Sequence, residues 1–372
     1  MHKKLLLFIC FIFCTVVLFA CQGSQQPSPS TSSPNENEEP EPDLPIVDEK
    51  TIIPTPFNQD QFIDNIGWIN EEEVILTERN GKNTDIVQYN LFDGSKKILF
   101  TTNEPYVDVN ISPDQTKVLL HTAPLTYSAT IRIFDLSGKF SYEEQIPSYE
   151  LSYEWNSFDP NQILITSFAE DWSFTTSVLN INENALHSLD VSEPFMQWYS
   201  DNEFIYQNWN MDTVSLTAPL IVLNHLTGHI EQLEESVLHY KKYPESLLTI
   251  TPIDEEQQTF QYKFQENNVE LSSFAVNLLS RYSDWYIPYY DMLDENDAFF
   301  TFVTKGTGFI DTYSGSFTLE KWDPETGEKL VLFDELMNEP ISCSSDGQYC
   351  LYGHRFEKVI SLGDKEIIQL LK

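Results

Sequence analysis

A hairpin that recurs at near-constant spacing is the strongest constraint on what this chain can become. Its copies are IGWINEEEVIL at 66–76, VNISPDQTKVLL at 109–120, YEWNSFDPNQILI at 153–165, MQWYSDNEFIY at 196–206, YKKYPESLLTI at 240–250, YYDMLDENDAFF at 289–300 and ISCSSDGQYCLY at 341–352. Successive copies start 43, 44, 43, 44, 49 and 52 residues apart. A second hairpin follows each, as in IVQYNLFDGSKKIL, IRIFDLSGKFSYEE and LEKWDPETGEKLVLF. Asp, Asn, Gly and Pro occupy the turns, where they supply the backbone angles of tight hairpins. The strands between are rich in Ile, Val, Leu, Tyr and Phe. A period of about 40–45 residues with four strands each marks a β-propeller. One four-stranded sheet cannot bury both faces alone, whereas sheets packed radially can. The expectation is an all-β propeller of four-stranded antiparallel blades over 51–372, seven by repeat count. Six or eight stay open, because the first strand of copy one is weak near 65–68 and copy seven has only 353–357 between its hairpins. Thr51, Ile52 and Ile53 are expected to pair with the last blade and latch the ring.

The same pattern divides the disc into two faces. Hairpin turns such as SPDQ and LSGK fall on one. The loops between second and third strands share the other with the connections between blades. Several of these loops are long: HTAPLTYSAT, SFAEDWSFTTS, QNWNMDTVSLTAP and VTKGTGFIDTYSGS. Aromatic and Met side chains gathered on one rim are the material of binding surfaces. The expected partner face comprises Tyr127, Trp172, Phe174, Trp209, Met211, Trp285, Phe309 and Tyr313, with Tyr106, Tyr149, Phe195 and Tyr286 added by the connections. The competing reading for any one of them is that it tucks inward to cover the ends of the core.

The N-terminus is a secretory signal over 1–20: Lys3 and Lys4, an apolar run over 5–19, then Ala20. Leu18, Phe19, Ala20 and Cys21 resemble the bacterial lipobox, in which the cysteine carries a diacylglyceryl group and becomes the first mature residue. The apolar run is short for a span of about 20 residues. Residues 22–50, QGSQQPSPSTSSPNENEEPEPDLPIVDEK, hold too little apolar surface to fold. Together with Cys21 they read as a lipidated, acidic, Pro/Ser/Glu-rich tether. A coil of about 28 residues reaches roughly 30 Å, so the domain stands off the membrane. Of five cysteines, Cys10 and Cys14 leave with the signal and Cys21 is lipidated, leaving Cys343 and Cys350. If Asp346-Gly347 forms a two-residue turn, these two oppose each other across a hairpin and suit a disulfide in an oxidising compartment. Buried free thiols are the alternative.

Net charge is −37, and −39 once a signal bearing two lysines and no acids is removed. That argues against nucleic acid, whose binding demands Lys and Arg. It favours solubility, a cation or a basic partner, or else a surface suited to salty or alkaline surroundings. No G-x-S-x-G elbow and no phosphate loop is present. His225 and His229 flank a hairpin turn in NHLTGH, unlike a helical metal pair. Asp291, Asp294, Glu295 and Asp297 are too tightly spaced for an alternating Ca²⁺ loop. No catalytic residue, cofactor or metal is expected.

The S-P-D and S-S-D-G turns resemble those of secreted propellers. With the lipobox and acidic tether, the whole chain resembles the YqgU-like propeller lipoproteins of Gram-positive bacteria, a family of uncertain function. The resemblance implies six blades where the repeat count gives seven, and it implies no catalytic residues. The expected role is a binding or scaffold module, lipid-anchored at the extracytoplasmic face of the membrane, with an unidentified protein or peptide partner at the cell surface. The alternative is a metal-dependent hydrolase, lactonase or lyase with its site in the central channel. A transporter's capture lipoprotein would instead alternate strands with helices.

Overall fold

The computed structural model describes residues 51–371 apart from 211 and 294–296. The signal, Cys21, the tether and Met211 lie outside the described residues. Seven four-stranded antiparallel sheets follow one another at 62–102, 106–147, 150–189, 197–237, 239–277, 290–336 and 341–369. In each, the strands are hydrogen-bonded in chain order. First strands of successive blades lie side by side around the axis, as Phe62–Trp68 does with Tyr106–Ile111 on one flank and Ile341–Cys343 on the other. The two longest repeat offsets have local causes. A two-stranded ribbon, Leu279–Ser280 with Trp285–Tyr286, fills the connection between blades five and six. The long second loop of blade six carries a 3₁₀ turn at Ile310–Thr312.

The core is seven separate seams rather than one centre, one seam for each gap between neighbouring blades. Period-two alternation produces this directly. In the second strand of blade one, Glu73–Asn80, Val74 and Leu76 enter the seam with blade seven while Ile75 enters the seam with blade two. In blade six Phe299 packs toward blade five and the adjacent Phe300 toward blade seven. Both sheet faces are therefore apolar, which is why these strands read as unbroken hydrophobic runs. Each fully buried side chain of this kind contributes about 1.5–3 kcal/mol.

Closure corrects the expected strand pairing. Among the described residues no strand that precedes the first blade joins the last sheet, which is built of Ile341–Cys343, Tyr349–Tyr352, Lys358–Ser361 and Glu366–Gln369. Residues 51–57 instead wedge into the seam between blades one and seven. Ile52 and Phe57 are buried there with Trp68, Leu351 and Leu370. The Ile53 amide donates to Leu91 O at 2.7 Å, and the Thr55 amide donates to Leu370 O at 2.8 Å. The Tyr89 hydroxyl donates to Ile53 O at 3.0 Å. Across the same gap the Trp68 indole donates to Ser342 O at 2.9 Å. The latch clamps both blades without lengthening either sheet.

Turn chemistry explains the recurring Ser–Asp signature. Ser112 Oγ donates to Asp114 at 2.5 Å and accepts the Lys117 amide at 2.9 Å. Ser344 Oγ and Asp346 repeat the first bond at 2.6 Å. Gln115 then sits at φ 54°, the position that Gly347 fills at φ 65° in blade seven. In that last hairpin Cys343 and Cys350 are directly opposed and disulfide-bonded. Thiol titration of the chain beyond the tether should find no free thiol without reductant and two with it. Replacing both cysteines by Ser should cost about 2–3 kcal/mol, the expectation for so short a closed loop. A loss below about 0.5 kcal/mol would show that the bridge does not constrain the blade.

Candidate functional site

The face formed by the second loops and the inter-blade connections carries a group of exposed apolar side chains over blades two and three. Leu125 and Tyr127 come from the blade-two loop, Tyr149 from the connection to blade three, Trp172 from the blade-three loop and Phe195 from the connection to blade four. Each is more than half exposed. The Tyr127 and Tyr149 rings lie 5.7 Å apart between centroids. The Ser148 amide bonds to Tyr127 O and the Tyr149 amide to Phe168 O, tying the connection to both blades. Phe168 packs against Phe195 at 5.5 Å and Trp172 at 6.0 Å, so a buried ring supports two displayed ones.

Trp172 is the least ordinary of these. It is 64% exposed and holds φ 64°. A bulky residue in the left-handed region is a conformational outlier, at a cost of about 1–2 kcal/mol. The loop fixes it from both sides: the Trp172 amide donates to Ala169 O, the Ala169 amide to Ser173 O, and Asp171 accepts the Ser173 amide and hydroxyl. The position would suit glycine, and an indole stands there facing solvent.

The other expected face residues divide. Trp209 and Phe309 are exposed on the loops of blades four and six. Phe174 is half-buried against Phe168. Trp285 packs edge-on against Phe260 at 4.7 Å in the seam between blades five and six. The Tyr313 hydroxyl donates to Ser316 O and accepts the Lys305 amide while its ring abuts Phe317. Trp285 and Tyr313 are thus turned into the fold, as the inward reading has it.

Two cavities share a wall, and one of them reaches the patch. A channel of about 600 Å³ is lined by the first strands of blades one, two, six and seven, with Asp64, Asn65, Asp108, Asn110, Asp291 and Arg355 among its polar groups. A groove of about 410 Å³ runs between blades two and three, from Asp108 and Tyr153 up to Leu125 and Tyr149. Val107, Asp108 and Asn110 line both. The Tyr153 hydroxyl donates to Asp108 Oδ2 at 2.6 Å. His121 stands edge-on to the Tyr153 ring at 5.8 Å. Burial pushes the Tyr153 hydroxyl well above its usual range, and Asp108 adds to the shift. Burial also depresses the His121 imidazole, against the opposing pull of Asp108, so it is neutral near pH 7. Burial raises the Asp64 carboxyl; Arg355 opposes this, and Asp108 and then Glu357 reinforce it. In the channel, burial pushes Asp291 up to about 6, against the Cys343 amide that donates to it at 2.6 Å. Among the described residues no three His, Cys, Asp or Glu side chains converge to hold a metal ion.

Sequence reading did not single out Asp108, His121 or Tyr153 as a group. Asp108 sits in the alternating run YVDVNI, where a polar residue simply marks the solvated side of a strand. Nothing local distinguishes bulk solvent from a cavity.

The family described as the YqgU-like 6-bladed beta propeller domain matches residues 90–353. That stretch holds five whole blades, the last strand of blade one and the first two strands of blade seven, so parts of two blades fall outside it. The chain is 28% identical over 366 residues to the uncharacterized lipoprotein YqgU of Bacillus subtilis strain 168, covering 98% of this chain and 97% of the relative. The crystal structure of an uncharacterized Listeria monocytogenes EGD-e protein superposes with a TM-score of 0.81 at 23% identity, covering 87% of this chain and 98% of that one. The propeller domain of the Trilobed protease from Pyrococcus furiosus, described as having an open velcro topology, gives 0.55 at 16% identity over 84% of this chain and 98% of that one. Both structures share the fold.

Proposed function

We propose that this chain, which belongs to the family of YqgU-like 6-bladed beta propeller domains, is a binding module that captures a protein or peptide on the loop face over blades two and three. The lipid on Cys21 holds it at the outer side of the cell membrane, and the tether lets the face search the space above. The named lipoprotein relative and the lipobox support the anchor. The observation that carries the binding reading is Trp172, an exposed indole kept in a backbone conformation that favours glycine. Strain of this kind persists where function requires the displayed group. Around it, exposed Leu125, Tyr127, Tyr149 and Phe195 give the aromatic anchors from which interface hot spots are built. Catalysis in the channel gains no specific support from the arrangement of Asp64, Asp108 and Asp291.

The test places a photoreactive residue at Tyr127 in the intact lipoprotein on cells, with a control at Leu226, which is exposed in a hairpin turn of the opposite face. A discrete adduct is expected from position 127, not from 226, and it should vanish in a Trp172→Gly background. That variant should keep its stability within about 1 kcal/mol, because Gly relieves the left-handed strain. Equal adducts from both positions, or an adduct at 127 indifferent to Trp172→Gly, would remove the aromatic face as the binding surface.

A further inference from the structure

The groove between blades two and three has a composition that selects one kind of group. We propose that it binds the ammonium of a lysine side chain presented by a basic segment of the captured polypeptide. This rests on the binding-module reading above.

The charged groups lining the groove are carboxylates. Asp108 lies at its floor and exposed Glu150 at its mouth. No Lys or Arg is among its described lining residues, and burial keeps His121 neutral near pH 7. Asp64 lies across the shared wall, where Arg355 acts on it more strongly than Asp108 does, so the Asp108 carboxylate is the buried charge that the groove itself offers. Two carboxylates are too few for a hard dication, which takes about six to eight oxygens. The Asp108 carboxylate and the Tyr149 and Tyr153 side chains in the lining are instead the components of an organic-cation site, since aromatic rings attract such a charge.

Two details favour lysine over arginine. Asp108 Oδ2 already accepts the Tyr153 hydroxyl, so the carboxylate does not offer the two open oxygens that a guanidinium fork prefers. Leu125 and Leu151 flank the path from mouth to floor, giving apolar wall to a tetramethylene stem whose charge lies at its tip. A polypeptide rather than a free amine is favoured because the groove opens at Leu125 and Tyr149, with exposed Tyr127 against Tyr149 beside it, apolar surface that a small amine would leave uncovered. The net charge of −37 would steer such a segment inward.

Titration calorimetry of the full propeller with hexalysine, hexaarginine and cadaverine, at about 0.15 M salt to suppress long-range attraction, tests this. Asp108→Asn removes the charge and keeps an oxygen for the Tyr153 hydroxyl. Glu255→Gln removes an equal charge from an exposed loop of blade five on the same face. Hexalysine should bind most tightly, weaken roughly tenfold or more with Asp108→Asn, and change less than about twofold with Glu255→Gln. Equal weakening by the two variants, or no binding of hexalysine, overturns the groove. Equal or tighter binding of hexaarginine overturns lysine selectivity, and cadaverine bound as tightly as hexalysine overturns the polypeptide. Hexalysine binding unaffected by Asp108→Asn, with the position-127 adduct still formed, removes the groove and leaves the aromatic face standing.

Discussion

An Ile52→Ala/Phe57→Ala double variant is expected to lose about 5 kcal/mol or more of stability, summing buried Ile→Ala at about 2–5 and Phe→Ala at about 3–5. Both side chains sit in the seam that joins the first blade to the last. Every other seam is backed by chain that runs directly from one blade to the next. This one is held by packing, by bonds across the gap from the Trp68 indole to Ser342 O, the Asn65 amide to Arg355 O and the Arg355 guanidinium to Phe62 O, and by the latch through the amides of Ile53 and Thr55 and the Thr55 hydroxyl. Domains of ordinary stability have about 5–15 kcal/mol in hand, so the variant should unfold at markedly lower urea. Hydrogen exchange should accelerate first in Phe62–Trp68 and in the blade-seven strands. Ile53→Ala is the control: its side chain is exposed, and its loss should be about 1 kcal/mol or less. A double variant within about 1 kcal/mol of the parent, or exchange that accelerates evenly around the ring, would show that residues 51–57 do not close it.

The latch also shows where sequence reading stops. The blades were legible because two local signals coincide: Asx-rich turns at fixed spacing, and apolar runs such as Val74, Ile75 and Leu76 that serve two seams at once. The facing of Cys343 and Cys350 was legible, but the turn differs from the expected Asp346-Gly347 pair: the Gly347 amide bonds back to Ser344 O, so Ser345 and Asp346 are central and Gly347 follows them. Residues 51–57, TIIPTPF, carry no such signal. Pro54 and Pro56 have no amide hydrogen, so the segment cannot build a continuous ladder. It uses the amides of Ile53 and Thr55, between and before those prolines, to reach two different blades. A pattern that breaks a strand thus makes the clamp.

The face was legible in position but not in detail. Loop length and aromatic content placed Tyr127 and Trp172 on the loop side of the disc, where both are exposed. Nothing in AEDWS announces a left-handed tryptophan, since that conformation is imposed by the Ala169–Ser173 closure. Trp285 has the same composition signal and faces inward, because the ribbon at Leu279–Ser280 carries it onto Phe260. Side-chain direction in a connection depends on what it crosses, which local composition does not encode.

Asp291→Asn is expected to stabilise the protein in a pH-dependent way. Burial pushes the native carboxyl up from 3.8 to about 6. Below about pH 4 both folded and unfolded chains hold the proton, and the site contributes no difference. Between about 4 and 6 the unfolded chain releases it first, so stability falls as pH rises through that window. Above about pH 6 the folded protein bears a constant penalty of roughly 3 kcal/mol, the worth of about two pKa units. Asparagine cannot ionise and can still accept the Cys343 amide, now received at 2.6 Å. The variant should therefore match the parent near pH 4 and exceed it by about 3 kcal/mol near pH 7 in paired urea titrations. The difference matters more than either curve, because the many other carboxylates shift both alike. A gap that stays flat from pH 4 to 7 would mean that the Asp291 carboxylate is solvated through the channel. A gap that opens with pH would identify a charge kept on the axis against the stability of the fold, and the channel wall it shares with Asp108 would then be negative at the expense of folding.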